Sequence, residues 1–156
     1  GMSSRLFQEI REKRGLCYSI FASAGAYCDT GTLTMYAGTS GDKVAELANI
    51  TMDELKRAAD DMSEVEVARA RSQMKAGLLM GLESPSSRAE RLARMVAIWD
   101  RIPSLDEVVA QIDGVTTETV RNFAGFMSAG APAAMALYGP VADAPAGEKL
   151  QARVVA

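Results

Sequence analysis

The sequence predicts an α+β fold, a two-layer sandwich in which a block of helices covers one face of an antiparallel sheet. Two observations carry this. An apolar run over residues 16–27 is followed, across the turn Asp29-Thr30-Gly31, by a second run over residues 32–39 that alternates Thr32, Thr34 and Tyr36 with Leu33, Met35 and Ala37, the pattern of a hairpin. From Asp42 onward the apolar period changes from two to 3.6 and serine or threonine caps recur without an intervening strand, which excludes a βαβ alternation.

Taken in order, residues 2–14 read as a helix. Ser3 or Ser4 can cap it, Leu6, Phe7 and Ile10 form one apolar stripe, and Gly15 after Lys13 and Arg14 supplies a left-handed stop. Cys17, Tyr18, Ile20 and Phe21 suit a strand covered on both faces. In the next strand Thr32, Thr34 and Tyr36 alternate with Leu33, Met35 and Ala37. Asp42 opens a helix carrying Val44, Leu47, Ala48, Thr51, Leu55 and Ala58 at helical spacing. Three capping boxes announce further helices: Ser63 with Glu66, Ser87 with Glu90, and Ser104 with Glu107. The last of these helices ends near Gly114, and Thr116 caps another with Val120, Phe123 and Phe126. Residues 132–138 read as a final strand ended by Gly139-Pro140, and residues 141–156 as a tail without regular structure. One domain over residues 1–140 is expected. Three strands under so many helices make a thin sheet, so a portion preceding Gly1 is expected to be missing.

Composition narrows the chemistry. A formal charge of -3 and a pI near 5.1 leave no basic footprint for nucleic acid or an anionic membrane. No apolar run approaches the ~20 residues of a spanning helix, and residues 1–20 lack the basic-then-apolar order of a signal peptide. The chain has no histidine, which removes the commonest general base, the commonest zinc ligand and every Ser/His or Cys/His pair. Cys17 and Cys28, eleven residues apart in one extended stretch, would lie roughly 36 Å apart on an unbroken strand. A disulfide is thereby rejected, and both are expected as buried reduced thiols. Neighbouring Asp60 and Asp61 point in different directions on a helix, which argues against paired-carboxylate chemistry. Glu64, Glu66, Arg69 and Arg71 read as a solvated face, as do Arg88, Arg91, Arg94 and Arg101. Nothing in the residues addresses a compartment.

Three blocks in order, GMSSRLFQEIREKRGLCYS (residues 1–19), LESPSSRAERLAR (82–94) and SLDE leading to IDGVT (104–116), resemble the zinc-free, inactive C-terminal half of the M16 (insulinase, or mitochondrial-processing-peptidase-like) metallopeptidases. The resemblance covers residues 1 to about 140. It implies a LuxS/MPP-like metallohydrolase fold of two similar halves, or two subunits, closing around a peptide. Zinc is held by an inverted H-x-x-E-H helix on the other half. This chain, without histidine, is expected to hold no metal and no catalytic residue and to be inactive alone, its partners being a zinc-bearing half or subunit and a peptide substrate. A second copy of the chain is a further partner that exposed apolar surface would take. In the family the zinc-free half often supplies an Arg and a Tyr seven residues apart that reach the substrate, and Arg11 and Tyr18 have that spacing. Read without the resemblance, Arg11 is a helix cation favoured by the C-terminal dipole and Tyr18 a half-buried strand tyrosine. The alternative implied function is structural, as in the core subunits of the respiratory bc1 complex, where the fold serves assembly.

Overall fold

The structure is a computed structural model that describes residues 1–129, 133–142 and 144–155. It is α+β, as expected: strands β1 (Ser19–Ala26) and β2 (Gly31–Gly38) are followed by helices α1 (Val44–Asp61), α2 (Glu64–Gly81), α3 (Pro85–Trp99), α4 (Leu105–Asp113), α5 (Thr117–Ser128) and α6 (Gly147–Val155). The chain divides into two compact units, Gly1–Asp60 with Phe123–Ala156, and Asp61–Asn122.

In the first unit, the opening helix differs from the regular helix expected over residues 2–14. Phe7–Glu12 winds as a π-helix, with Lys13 N–H donating to Gln8 O five residues back at 3.0 Å. Ser4 does cap it, its Oγ accepting from Phe7 N–H at 3.3 Å. Gly15 takes φ +59°, a conformation glycine adopts at little cost. Its N–H returns to Arg11 O, and Leu16 N–H reaches back to Ile10 O, both at 3.0 Å. The chain therefore reverses at Gly15 and runs into β1. Ile10, Leu16, Ile20 and Leu47 form the buried cluster, with Leu6, Phe7, Cys17, Ala37 and Ile50 packed against it.

β1 and β2 pair antiparallel in the register Ser19↔Gly38 to Ala26↔Gly31, and Phe21 stacks on its partner Tyr36 with centroids 5.1 Å apart. The expectation that β1 is covered on both faces is corrected: Ile20 is its buried residue and Phe21 is half exposed. Two strands alone leave most of the hairpin surface open. The expected strand over residues 132–138 is also corrected. Pro132 lies outside the described residues, and residues 133–138 form no strand. Alanine, which occupies Ala133, Ala134 and Ala136, has low strand preference and buries little surface to offset ordering. The stretch instead lines a cavity of about 550 Å3 together with Leu33 and Met35 of β2, Met52 of α1 and Leu150 of α6. The segment expected to lack regular structure is helical over Gly147–Val155. Leu150 is buried there, and Arg153 makes a two-pronged ion pair to Asp53 of α1 at 2.6 and 2.8 Å. Both anchors were hidden by the Ala, Pro and Gly around them.

In the second unit the Ser63 box forms in full. Glu66 N–H donates to Ser63 Oγ at 3.3 Å and Ser63 N–H donates to Glu66 Oε2 at 3.1 Å. Ser63→Ala should therefore cost about 1 kcal/mol, read as a lower denaturant midpoint with unchanged m; an unaltered midpoint would show that the cap contributes nothing. The box at Ser87 is corrected. Pro85 occupies the first helical turn and Ser84 is the cap, accepting from Ser87 N–H at 3.3 Å, an arrangement that follows from the preference of proline for that turn. Ser104 caps α4 through Glu107 N–H, while the Glu107 carboxylate pairs with Arg101 instead of closing the box. Thr116 caps α5 through Thr119 N–H at 3.1 Å. The reading of Arg71 as solvated surface is corrected too. Its guanidinium donates to Val115 O at 2.9 Å and pairs with Glu64, and Lys75 pairs with Asp113 at 2.6 Å. These cations of α2 meet the carbonyl end of α4, where the helix dipole favours positive charge.

Candidate functional site

Arg11 and Tyr18 are brought to one place by the reversal at Gly15. The Arg11 guanidinium carbon lies 4.6 Å from the centroid of the Phe7 ring and 6.0 Å from that of Tyr18, within the range of cation–π attraction. Phe7 and Arg11 are four residues apart on one helix, and so share a face. Tyr18 follows the turn and is 86% exposed, not half-buried. Its backbone N–H donates to Gly38 O at 2.9 Å, which fixes the main chain just ahead of β1 while the phenol stays accessible. Arg11 has a side chain 35% exposed. Among the described residues its ion pair is with the adjacent Glu12 at 3.4 Å, a long contact that leaves most of the guanidinium fork available.

The turn that joins the two residues is braced from the segment after β2. Thr39 Oγ1 donates to Leu16 O, and Lys43 Nζ donates to Gly15 O at 2.9 Å. On the other side of the opening helix, Glu9 pairs with Lys13 at 2.5 Å and with Arg14 at 2.9 Å. Hydrogen bonds from Lys13 and Arg14 hold the Glu9 carboxyl below its ordinary range, against a smaller opposing effect of burial. Its folded-state value is depressed, so this contribution is present above the unfolded carboxylate range and is lost as pH falls through the folded value. The sequence marks Phe7 only as part of the apolar stripe of the opening helix, and does not single out Thr39 or Lys43. For Phe7 a signal existed, since an aromatic four residues before an arginine on a helix is a stacking pair in waiting.

The chain's donor chemistry does not fit a zinc ion. It has no imidazole, and among the described residues no three Cys, Asp or Glu side chains converge. Cys17 and Cys28 are not joined in a disulfide. Cys28 is exposed, correcting the expectation that both are buried: it sits in the turn after β1, where the hairpin gives no cover. Cys17 packs against the core cluster, and burial pushes its thiol above the ordinary value while the Arg11 charge pulls it partly back. Iodoacetamide should therefore modify Cys28 before Cys17 at pH 8, and Arg11→Ala should move the pH midpoint of Cys17 labelling upward. A downward movement would show that the guanidinium does not act on the thiol.

No helix among the described residues is long and apolar enough to cross a membrane. The family model described as the Peptidase M16 inactive domain matches residues 1–74. An uncharacterized zinc protease of Mycobacterium tuberculosis is 38% identical over 125 residues, covering 80% of this chain and 28% of that protein. One of Streptomyces coelicolor is 35% identical over 144 residues, covering 92% and 31%, and YmxG of Bacillus subtilis is 35% identical over 126 residues, covering 79% and 30%. The chain thus spans less than a third of the length of these relatives. Among solved structures it resembles a chain of Complex III2 from Candida albicans with Inz-5 bound, at 25% identity and a TM-score of 0.70, covering 78% of this chain and 29% of that one. By the match over residues 1–74 and by these relatives, the chain belongs to the M16 peptidase family as part of its inactive C-terminal domain.

Proposed function

We propose that this chain is the non-catalytic half of an M16 zinc metalloendopeptidase, closing a peptide chamber and presenting Arg11 and Tyr18 to substrate held at a zinc site on another half or subunit. The supporting observation is the pairing of two hydrogen-bond donors on one accessible side of the Gly15 turn, the guanidinium 6.0 Å from the Tyr18 ring. During amide hydrolysis, negative charge develops on the scissile carbonyl oxygen. A guanidinium fork and a phenol O–H aimed at that oxygen bind it more strongly in the transition state than in the ground state. Neither group has to transfer a proton. The zinc ion, when bound to the other half, supplies Lewis-acid and nucleophile-generating chemistry; this chain supplies orientation and donors.

The test is cleavage of an unstructured reporter peptide by this chain alone and by its assembly with the zinc-bearing half. Chelator-sensitive activity is expected in the assembly alone. Activity from the isolated chain would overturn the reading.

A second reading, a structural subunit of the same fold without proteolysis, is favoured by the likeness to a chain of Complex III2. The Arg11 and Tyr18 pair argues for the first, because an assembly role needs no accessible donor pair. Absence of cleavage in every assembly, with the complex formed, would favour the second.

A further inference from the structure

We propose that Phe7 is the positioning residue for Arg11: its ring, anchored in the core, holds one face of the guanidinium and leaves the N–H edge directed outward for a peptide carbonyl. This rests on the chamber reading above for its catalytic use, but not for its geometry.

Ordering an arginine side chain costs conformational entropy. The side chain carries rotamer freedom worth ~2 kcal/mol, and a donor that must be ordered when charge develops stabilises the transition state less than one already in place. A carboxylate partner would order it but would occupy the N–H fork that substrate needs. An aromatic ring orders it through the face and leaves the fork free. The arrangement here is of the second kind. The guanidinium lies 4.6 Å from the Phe7 centroid, while its ion pair with Glu12 is long, at 3.4 Å. Phe7 in turn is partly buried and packs against the Ile10, Leu16, Ile20 and Leu47 cluster. The ring is thus fixed by the core on one side and available to the cation on the other. Tyr18, at 6.0 Å and largely exposed, has no comparable anchor, so Phe7 is the ring that sets the position. The π-winding of Phe7–Glu12 falls on this pair, and such turns occur frequently at functional sites.

The experiment has two arms. Nuclear magnetic resonance of the full chain should show the Arg11 side-chain protons displaced upfield by ring currents, the displacement lost in Phe7→Leu and kept in Phe7→Tyr. Arg11 protons at random-coil positions in the unaltered chain would overturn the proposal. In the assembly with the zinc-bearing half, Phe7→Leu should lower kcat by about two- to fivefold, the equivalent of one cation–π contact, with KM unchanged and Phe7→Tyr near full activity. Melting temperatures separate folding from positioning, and so does a double-mutant cycle. Once Arg11→Ala is present, Phe7→Leu should lower kcat no further. An equal loss in both backgrounds would show that Phe7 acts through the fold, and overturns the proposal. If the ring-current displacement holds while Arg11→Ala leaves cleavage unaltered, the positioning stands and the chamber reading falls.

Discussion

On the chamber reading proposed above, Arg11→Ala should lower kcat of the assembly by about 100-fold or more, the usual cost of removing one donor from a developing oxyanion, with a smaller change in KM. Tyr18→Phe should fall in the same direction, since it removes a phenol O–H and leaves the ring. The kinetic pattern matters more than the size of either loss. A donor used in the transition state lowers kcat and kcat/KM together, whereas one that only binds substrate raises KM and leaves kcat alone. Arg11→Lys should not restore activity, because an ammonium lacks the planar fork and stacks less well on the Phe7 ring, 4.6 Å from the guanidinium carbon. Zinc content of the assembly should be unaltered in each variant, because this chain brings no imidazole to that site. Unchanged kcat in both Arg11→Ala and Tyr18→Phe, with the assembly intact, would end the chamber reading.

Ile10→Ala should be the most damaging single truncation for stability, at about 3 kcal/mol within the 2–5 usual for a buried isoleucine. Ile10 is 0% exposed and is the largest side chain among the described residues that is fully enclosed. It lies in the π-helix, beside Arg11, and its carbonyl receives the Leu16 N–H that closes the Gly15 turn. Removing its side chain opens a cavity beneath both the opening helix and β1, lined by Leu16, Ile20 and Leu47. Ile10→Val, which deletes one methylene, should cost about 1 kcal/mol. The comparison separates packing from backbone effects, since both substitutions keep the hydrogen bond to Ile10 O. Denaturant melts of the two variants should differ by about 2 kcal/mol; equal losses would mean that the site collapses without a cavity. Because the cluster supports the turn between Arg11 and Tyr18, Ile10→Ala should also reduce kcat of the assembly at temperatures where the chain is folded.

Elements whose signal is local were legible in the residues. The hairpin register follows from alternation and from the Asp29-Thr30-Gly31 turn, because a one-residue slip would exchange the two faces. The Ser63 box is written in four consecutive residues. The cap at Ser84 was legible as well, through Pro85, but Ser87 with Glu90 matched the box pattern and diverted the reading. Residues 133–138 are an apolar run of strand length, yet the three alanines among them bury too little to hold the run in a ladder. The last helix was missed because one buried leucine and one ion pair, Arg153 with Asp53, hold it.

Sequence alone determined what this chain lacks and what it can offer: no histidine to bind zinc, and an arginine and a tyrosine seven residues apart with a glycine between them. The tertiary structure decided that those two side chains meet. Spacing along the chain does not define distance across a reversal. The left-handed turn at Gly15 was legible, but that distance depends also on the π-winding before it and on Thr39 and Lys43 gripping the turn from residues more than twenty positions away. It depends also on Phe7, whose ring is held by a core assembled from the opening helix, β1 and α1. Such contacts are non-local, and only the folded chain brings their partners within reach.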